Sequence, residues 1–95
     1  MIVHFSEKSG KDFRDIWDYV AEDSPRAADR LIDRLNAAAQ GLGNFPLMGV
    51  ARDDLAPGLR ALRVDNFVVF YRLRADDLVV ERVLHARLDA TSVNF

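Results

Sequence analysis

The chain opens with a short apolar stretch, Ile2-Val3-His4-Phe5, that is broken by Ser6. A brief run of that kind reads as a strand. Ser6 then serves as the N-cap of a helix, with Glu7 in a first turn whose exposed N–H groups favour a carboxylate. Phe13, Ile16, Trp17 and Val20 follow at i, i+3, i+4 and i+7, one apolar helical stripe, while Asp12, Asp15, Asp18 and Glu22 fall on its wetter flanks. The pattern predicts an end near Glu22. Asp23-Ser24-Pro25 stops one helix and starts another, because Ser24 can cap and Pro25 at the first helical position forfeits no hydrogen bond. Ala28, Leu31, Ile32, Leu35, Ala38, Ala39 and Leu42 share one face of this second helix, and Gly41 and Gly43 bracket its end. So short a link folds the two helices into an antiparallel hairpin.

Residues 43–58 lose all periodicity. Gly43, Pro46, Gly49, Pro57 and Gly58 punctuate them, and a loop of this length is more often functional than idle. Phe45, Leu47, Met48 and Leu55 are expected to pin it to the body. Strand-like patterning resumes from Arg60 to Val64, and Asp65-Asn66 is a two-residue turn that favours positive φ. Phe67 to Tyr71 is apolar on both faces, as a central covered strand should be. Asp76-Asp77 makes the next turn, and Leu78 to Ala86 forms a last long strand. Arg87 to Phe95 is mixed and predicts no element. The order β-α-α-β-β-β implies an α+β fold: an N-terminal strand and a helical hairpin packed on an antiparallel sheet.

Composition narrows the function classes. Ninety-five residues predict one domain spanning 1–95, with a core that is real but thin. Thirteen basic against fifteen acidic side chains give a net charge of −2. That argues against direct sequence-specific binding of nucleic acid, which draws its affinity from phosphate contacts. The absence of cysteine removes disulfides and thiolate metal sites, and two histidines make a zinc centre improbable, so no metal and no cofactor is expected. No apolar run approaches the ~20 residues of a membrane span. The N-terminus lacks the basic start and apolar block of a signal peptide, so a cytoplasmic protein without membrane association is expected.

Candidate chemistry concentrates in the last strand. Strict alternation points Val79, Glu81, Val83, His85 and Arg87 one way and Val80, Arg82, Leu84 and Ala86 the other. Glu81, His85 and Arg87, joined by Arg60 or Arg63, would make an acid–base site able to polarise a phosphodiester. A single histidine without a partner motif is weak support, and strand-surface ions are the better reading. Residues 51–95 hold seven arginines against seven acids, a balance that suits internal ion pairing or an acidic peptide partner. Trp17 and Tyr19 suggest a stacking platform, but Trp17 falls in the core stripe.

Phe45-Pro46 followed by Gly49, Leu55-x-Pro57-Gly58-Leu59-Arg60, Val68-Val69-Phe70-Tyr71-Arg72 and Arg82-Val83-Leu84-His85-Ala86-Arg87-x-Asp89 together resemble the ParE-type toxins of the RelE/ParE superfamily. Asp12 to Tyr19 and Pro25-x-Ala27-Ala28 resemble that family's helical hairpin. The resemblance implies the toxin of a bacterial toxin–antitoxin pair, neutralised by a ParD-like antitoxin. It implies DNA gyrase as the target if the chain is ParE-like, or ribosome-bound mRNA if it is RelE-like. The ribonuclease branch relies on a basic surface and a C-terminal set of acid–base residues. Here the only lysines are Lys8 and Lys11, the tyrosines lie outside the tail, and Ala86 directly follows His85. The gyrase-directed, non-enzymatic reading is therefore favoured. If the chain were a nuclease, Arg60, Arg82 and His85 would be its catalytic residues. The antitoxin is expected to contact Trp17, Leu31 and Leu35 beside Arg60 and Arg72.

Overall fold

Both helix starts form where the cap residues place them. In the computed structural model, which describes residues 1–95, the Ser6 side chain accepts from the Ser9 N–H at 3.0 Å and opens α1 (Glu7–Ala21). Ser24 accepts from the Ala27 N–H at 3.1 Å and, with Pro25 behind it, opens α2 (Pro25–Gly41). Ahead of them lies β1 (Ile2–Phe5), and after them come β2 (Val50–Ala51), β3 (Leu59–Val64), β4 (Phe67–Leu73) and β5 (Asp77–His85). A 3-10 turn at Ala90–Ser92 closes the chain. The β3–β4 turn takes its positive φ at Asp65, at 53°.

The strands make one five-stranded sheet in the order β1-β5-β4-β3-β2. Two features differ from the sequence expectation. First, β1 pairs with β5 in parallel, Ile2 against Asp77 through Phe5 against Val80, so the sheet is mixed and not wholly antiparallel. The helical hairpin carries the chain across the sheet from the β1 edge to the β2 edge, and β3 and β4 then lead it back to place β5 beside β1. Second, the loop contributes the two-residue strand β2, too short to leave a periodic signature.

The hairpin covers one face of the sheet. Leu31, Leu35, Ala39 and Leu42 pack there on Val69, Tyr71, Leu78, Val80 and Val83. The other face carries a smaller cluster, Leu59, Ala61 and Phe70, covered by Leu55, Ala90 and Phe95. Strict alternation fails along β5. Tyr71 pairs with Val80 and Phe70 with Arg82, leaving Glu81 as an extra residue in a β-bulge. The added residue resets the alternation, so Val80 and Val83, an odd number apart, share the helix-covered face.

Candidate functional site

The charged side chains of the β half turn inward to the molecule's own groups. Arg82 reaches from the bulge to α1, where its Nε and Nη2 donate to the two Asp12 carboxylate oxygens at 2.8 and 2.9 Å. The same carboxylate accepts the Val83 backbone N–H at 2.9 Å. β1 ends at Phe5, so β5 beyond Val80 lacks a strand on that side, and Asp12 takes the place of a ladder partner. The hydrogen bonds it donates to Asp12, outweighing partial burial, raise the Arg82 guanidinium above its ordinary range. Removing either partner would strand the other and cost about 3 kcal/mol. Asp12 is thus buried, not on the wet flank where the helical pattern placed it.

Arg60 is held by a different contact. Its Nη2 donates to the carbonyls of Gly49, at 2.6 Å, and Leu47, at 3.3 Å. Beside it the fully buried Tyr71 hydroxyl accepts the Gly49 N–H at 2.9 Å and donates to the Pro46 carbonyl at 2.8 Å. A Cβ on Gly49 would lie 2.7 Å from that hydroxyl and 2.8 Å from the Ala61 carbonyl, so only glycine fits this approach. Together Arg60 and Tyr71 grip the loop by its backbone. Its side chains face outward: Phe45, Leu47 and Met48 do not pin it to the body, and only Leu55 is packed on the smaller cluster.

His85 belongs to neither arrangement. Its ring packs edge-on against Phe67 with centroids 5.3 Å apart, and its Nδ1 accepts the Arg87 backbone N–H at 3.1 Å. With Ile16, Tyr19, Phe67 and Val83 it lines an apolar cleft of about 350 Å³ between α1 and the end of β5. The three residues of the candidate nuclease set therefore address three separate partners: Asp12, the loop carbonyls and Phe67. Arg72 donates to Glu81 at 3.4 Å and to the Pro57 carbonyl at 3.2 Å, Arg63 to the Asp65 carbonyl at 2.6 Å, and Arg52 to Asp54 at 3.0 Å. Arg74 sits 4.0 Å from Asp77, which leaves Arg87 as the one arginine of residues 51–95 without an internal partner for its side chain.

The expected antitoxin contacts also divide. Leu31 and Leu35 are core residues beneath α2 and leave no free face for a partner; the helical periodicity that suggested a contact is the periodicity of burial. Trp17 is 37% exposed and not in the core, and its Nε1 donates to Asp29 at 2.8 Å across the hairpin. Arg72 is half-buried and reachable. Asp12, Tyr71 and Gly49 organise the site, yet none carried a signal of its role in one dimension, because each acts on a segment far along the chain. No group of three or more His, Cys, Asp or Glu side chains is placed to hold a metal ion, and no helix is long and apolar enough to cross a membrane.

Comparison with known proteins gives this arrangement its context. The sequence model of the family described as "ParE toxin of type II toxin-antitoxin system, parDE" matches residues 3–90. The curated Toxin ParE3 of Caulobacter vibrioides is 34% identical over 77 residues, 81% of this chain and 74% of its own length. Among solved structures, the chromosomal ParDE toxin–antitoxin system from P. aeruginosa aligns with a TM-score of 0.78 at 22% identity, over 90% of this chain and 95% of that one. The toxin–antitoxin complex RelBE2 from Mycobacterium tuberculosis aligns with a TM-score of 0.57 at 20% identity, over 88% and 95%. Both structures share the hairpin-on-sheet fold. With a match from residue 3 to residue 90 and a relative 34% identical across most of its length, the protein belongs to the ParE toxin family of type II toxin–antitoxin systems.

Proposed function

We propose that the chain inhibits DNA gyrase by binding it and stabilising its cleavage complex, without catalysing a reaction itself, and that a ParD-like antitoxin neutralises it. One observation carries the non-enzymatic reading. Arg60, Arg82 and His85 are each engaged by a different structural partner, so no two of them converge where a scissile phosphate would sit. A general base and the cations that hold developing charge must meet around one reacting atom. Family membership supports the antitoxin, and the structural relatives are themselves parts of toxin–antitoxin complexes.

For the antitoxin, Trp17 and Arg72 remain as contacts, and the cleft lined by Ile16, Tyr19, Phe67 and His85 offers a seat for apolar side chains. An amphipathic tail that orders on binding would lay those side chains along the hairpin.

Pulse-labelling after induction in bacteria tests the target. DNA synthesis falling before protein synthesis, with gyrase-linked DNA breaks produced by the purified chain, is the expected result. Protein synthesis falling first, with codon-specific mRNA cuts that vanish in His85→Ala, would replace this reading with the ribonuclease one. Harmless expression of a chain that still binds its antitoxin would reduce it to a degenerate toxin.

A further inference from the structure

The second face of the sheet is roofed by two segments, and they are attached differently. The first carries Leu55 and is bonded into the body: the Arg52 N–H donates to the Leu59 carbonyl at 2.7 Å, and the Arg72 guanidinium donates to the Pro57 carbonyl at 3.2 Å. The second carries Ala90 and Phe95. Each hydrogen bond of residues 88–95 has its partner within 85–95: Leu88 with His85, Asp89 with Thr91 and Ser92, Ala90 with Val93. No ion pair joins these residues to the rest of the chain. The last bond to the body is that of the Ala86 N–H to the Asn66 carbonyl, at 2.8 Å.

Beyond that bond the segment is held on the sheet by apolar contact, chiefly the Phe95 ring against Phe70. The fit leaves room. A cavity of about 230 Å³ lies between segment and sheet, lined by Val68, Phe70, Leu84, Leu88 and Ala90, where close packing would leave few voids larger than a water molecule. Lifting the segment therefore breaks no hydrogen bond to the body and strands no buried polar group, the loss that makes most local openings expensive. The Asp89–Thr91–Ser92 turn is complete in itself, so it needs no support from the sheet to keep its shape.

We infer that residues 89–95 form a hinged strap, which swings as one piece about Ala86–Leu88 between the closed position of this structure and an open one that bares Val68, Phe70 and Leu84. Two features separate such a strap from a fraying end. Ala90 and Phe95, the residues that touch the apolar cluster, are joined through the preformed turn, so they leave and return together. Because the turn is already ordered in the open state, closing freezes only the few backbone angles of the hinge, and one aromatic contact suffices to favour it. The open state is a local opening that leaves hairpin and sheet intact. It uncovers an apolar face on the side of the sheet away from the hairpin, so the chain holds in reserve a surface that its closed form hides.

The strap requires neither antitoxin nor gyrase and is tested apart from them. The chain has no cysteine, so a single introduced thiol reports on one place. Val68→Cys puts it in the cavity under the strap, and Val83→Cys puts it under the hairpin, at a position 1% exposed. Both changes are small, and far-ultraviolet circular dichroism checks that each variant is folded. With a bulky maleimide, Val68→Cys should react at least ~hundredfold faster than Val83→Cys, and with little dependence on urea, because lifting the strap exposes far less surface than unfolding does. It should still react at least ~tenfold more slowly than the same thiol in the urea-unfolded chain. Adding Phe95→Ala should speed the Val68→Cys reaction about fivefold, as the loss of one aromatic contact predicts, with the Thr91 amide resonance in place because the turn travels with the strap. Equal rates and equal urea dependence at the two positions would overturn the proposal, since no opening short of unfolding would exist. So would reaction of Val68→Cys at the unfolded rate, which means no cover, or a Thr91 resonance that moves to its unfolded position, which means a fraying end.

Discussion

Residues 43–50 and 87–95 are irregular segments of similar length, and they handle their apolar side chains in opposite ways. The tail turns its terminal ring inward: Phe95 stacks on Phe70 with centroids 4.8 Å apart and, with Ala90, roofs the second face of the sheet. Its own order is local. Asp89 accepts from the Thr91 N–H at 3.0 Å and the Thr91 hydroxyl at 2.6 Å, and the Ser92 hydroxyl donates to the Asp89 carbonyl at 2.7 Å. The loop is ordered from a distance by residues of β3 and β4 that hold its backbone while its side chains face solvent. Segments of mixed sequence thus become either cover or display. What decides between them is whether the anchoring groups lie within the segment or beneath it.

Four changes would break or sharpen that contrast. The largest effect belongs to Gly49→Ala, whose methyl would press on the Tyr71 hydroxyl and the Ala61 carbonyl; overpacking of this kind costs about 3 kcal/mol, readable as a lower urea midpoint. Tyr71→Phe keeps the buried ring but strands the Gly49 N–H and the Pro46 carbonyl. A loss of about 2 kcal/mol is expected, with fast amide exchange at Gly49 and no change at Thr91. Phe95→Ala removes a half-buried ring from its contact with the buried Phe70 and should cost about 1 kcal/mol, leaving the loop amides untouched but raising binding of an apolar dye to the uncovered sheet face. An effect on the tail from Gly49→Ala, or on the loop from Phe95→Ala, would show that the two segments are coupled after all.

Acid should produce the smallest effect, and it should fall on the tail. Hydrogen bonds from the Thr91 hydroxyl and N–H hold the Asp89 carboxyl below its ordinary 3.8. A carboxylate depressed in the folded state contributes fully above its unfolded value and loses that contribution as pH falls through the lowered one. The 3-10 turn should therefore stay intact at pH 5 and open only in stronger acid. The Thr91 amide resonance would report this, and opening at pH 5 would assign the turn's order to something other than Asp89.

What could be read along the chain was local chemistry. Ser6 and Ser24-Pro25 mark their helices with their own side chains, and Asp65-Asn66 marks its turn, so these elements fall where the sequence puts them. Phe67 to Tyr71 is apolar on both faces because both faces are in fact covered. Other features depend on partners far along the chain. Asp12 looks like any surface acid of an amphipathic helix until Arg82 and the Val83 N–H arrive beside it. The extra residue at Glu81 shifts the alternation of β5 at that point, so strict period two, which sets Val80 and Val83 on opposite faces, could not show that both lie under the hairpin. Leu31 and Trp17 both fit an apolar helical stripe. Only the crossing of the hairpin over the sheet decides that the first is core and the second is rim.

The parallel pairing of β1 with β5 has a consequence in time. The Ser6 hydroxyl bonds the Glu81 carbonyl across 75 residues of chain, and Asp12 meets Arg82 across 70. During synthesis, at ~5–20 residues per second, the first strand and first helix leave the ribosome well before the strand that completes them. Closing so long a loop is also slow compared with forming the hairpin itself. A nascent chain halted before β5 has emerged holds two helices with an open apolar face and no finished sheet. The fold therefore closes only once β5 has emerged, long after the helical hairpin that it completes.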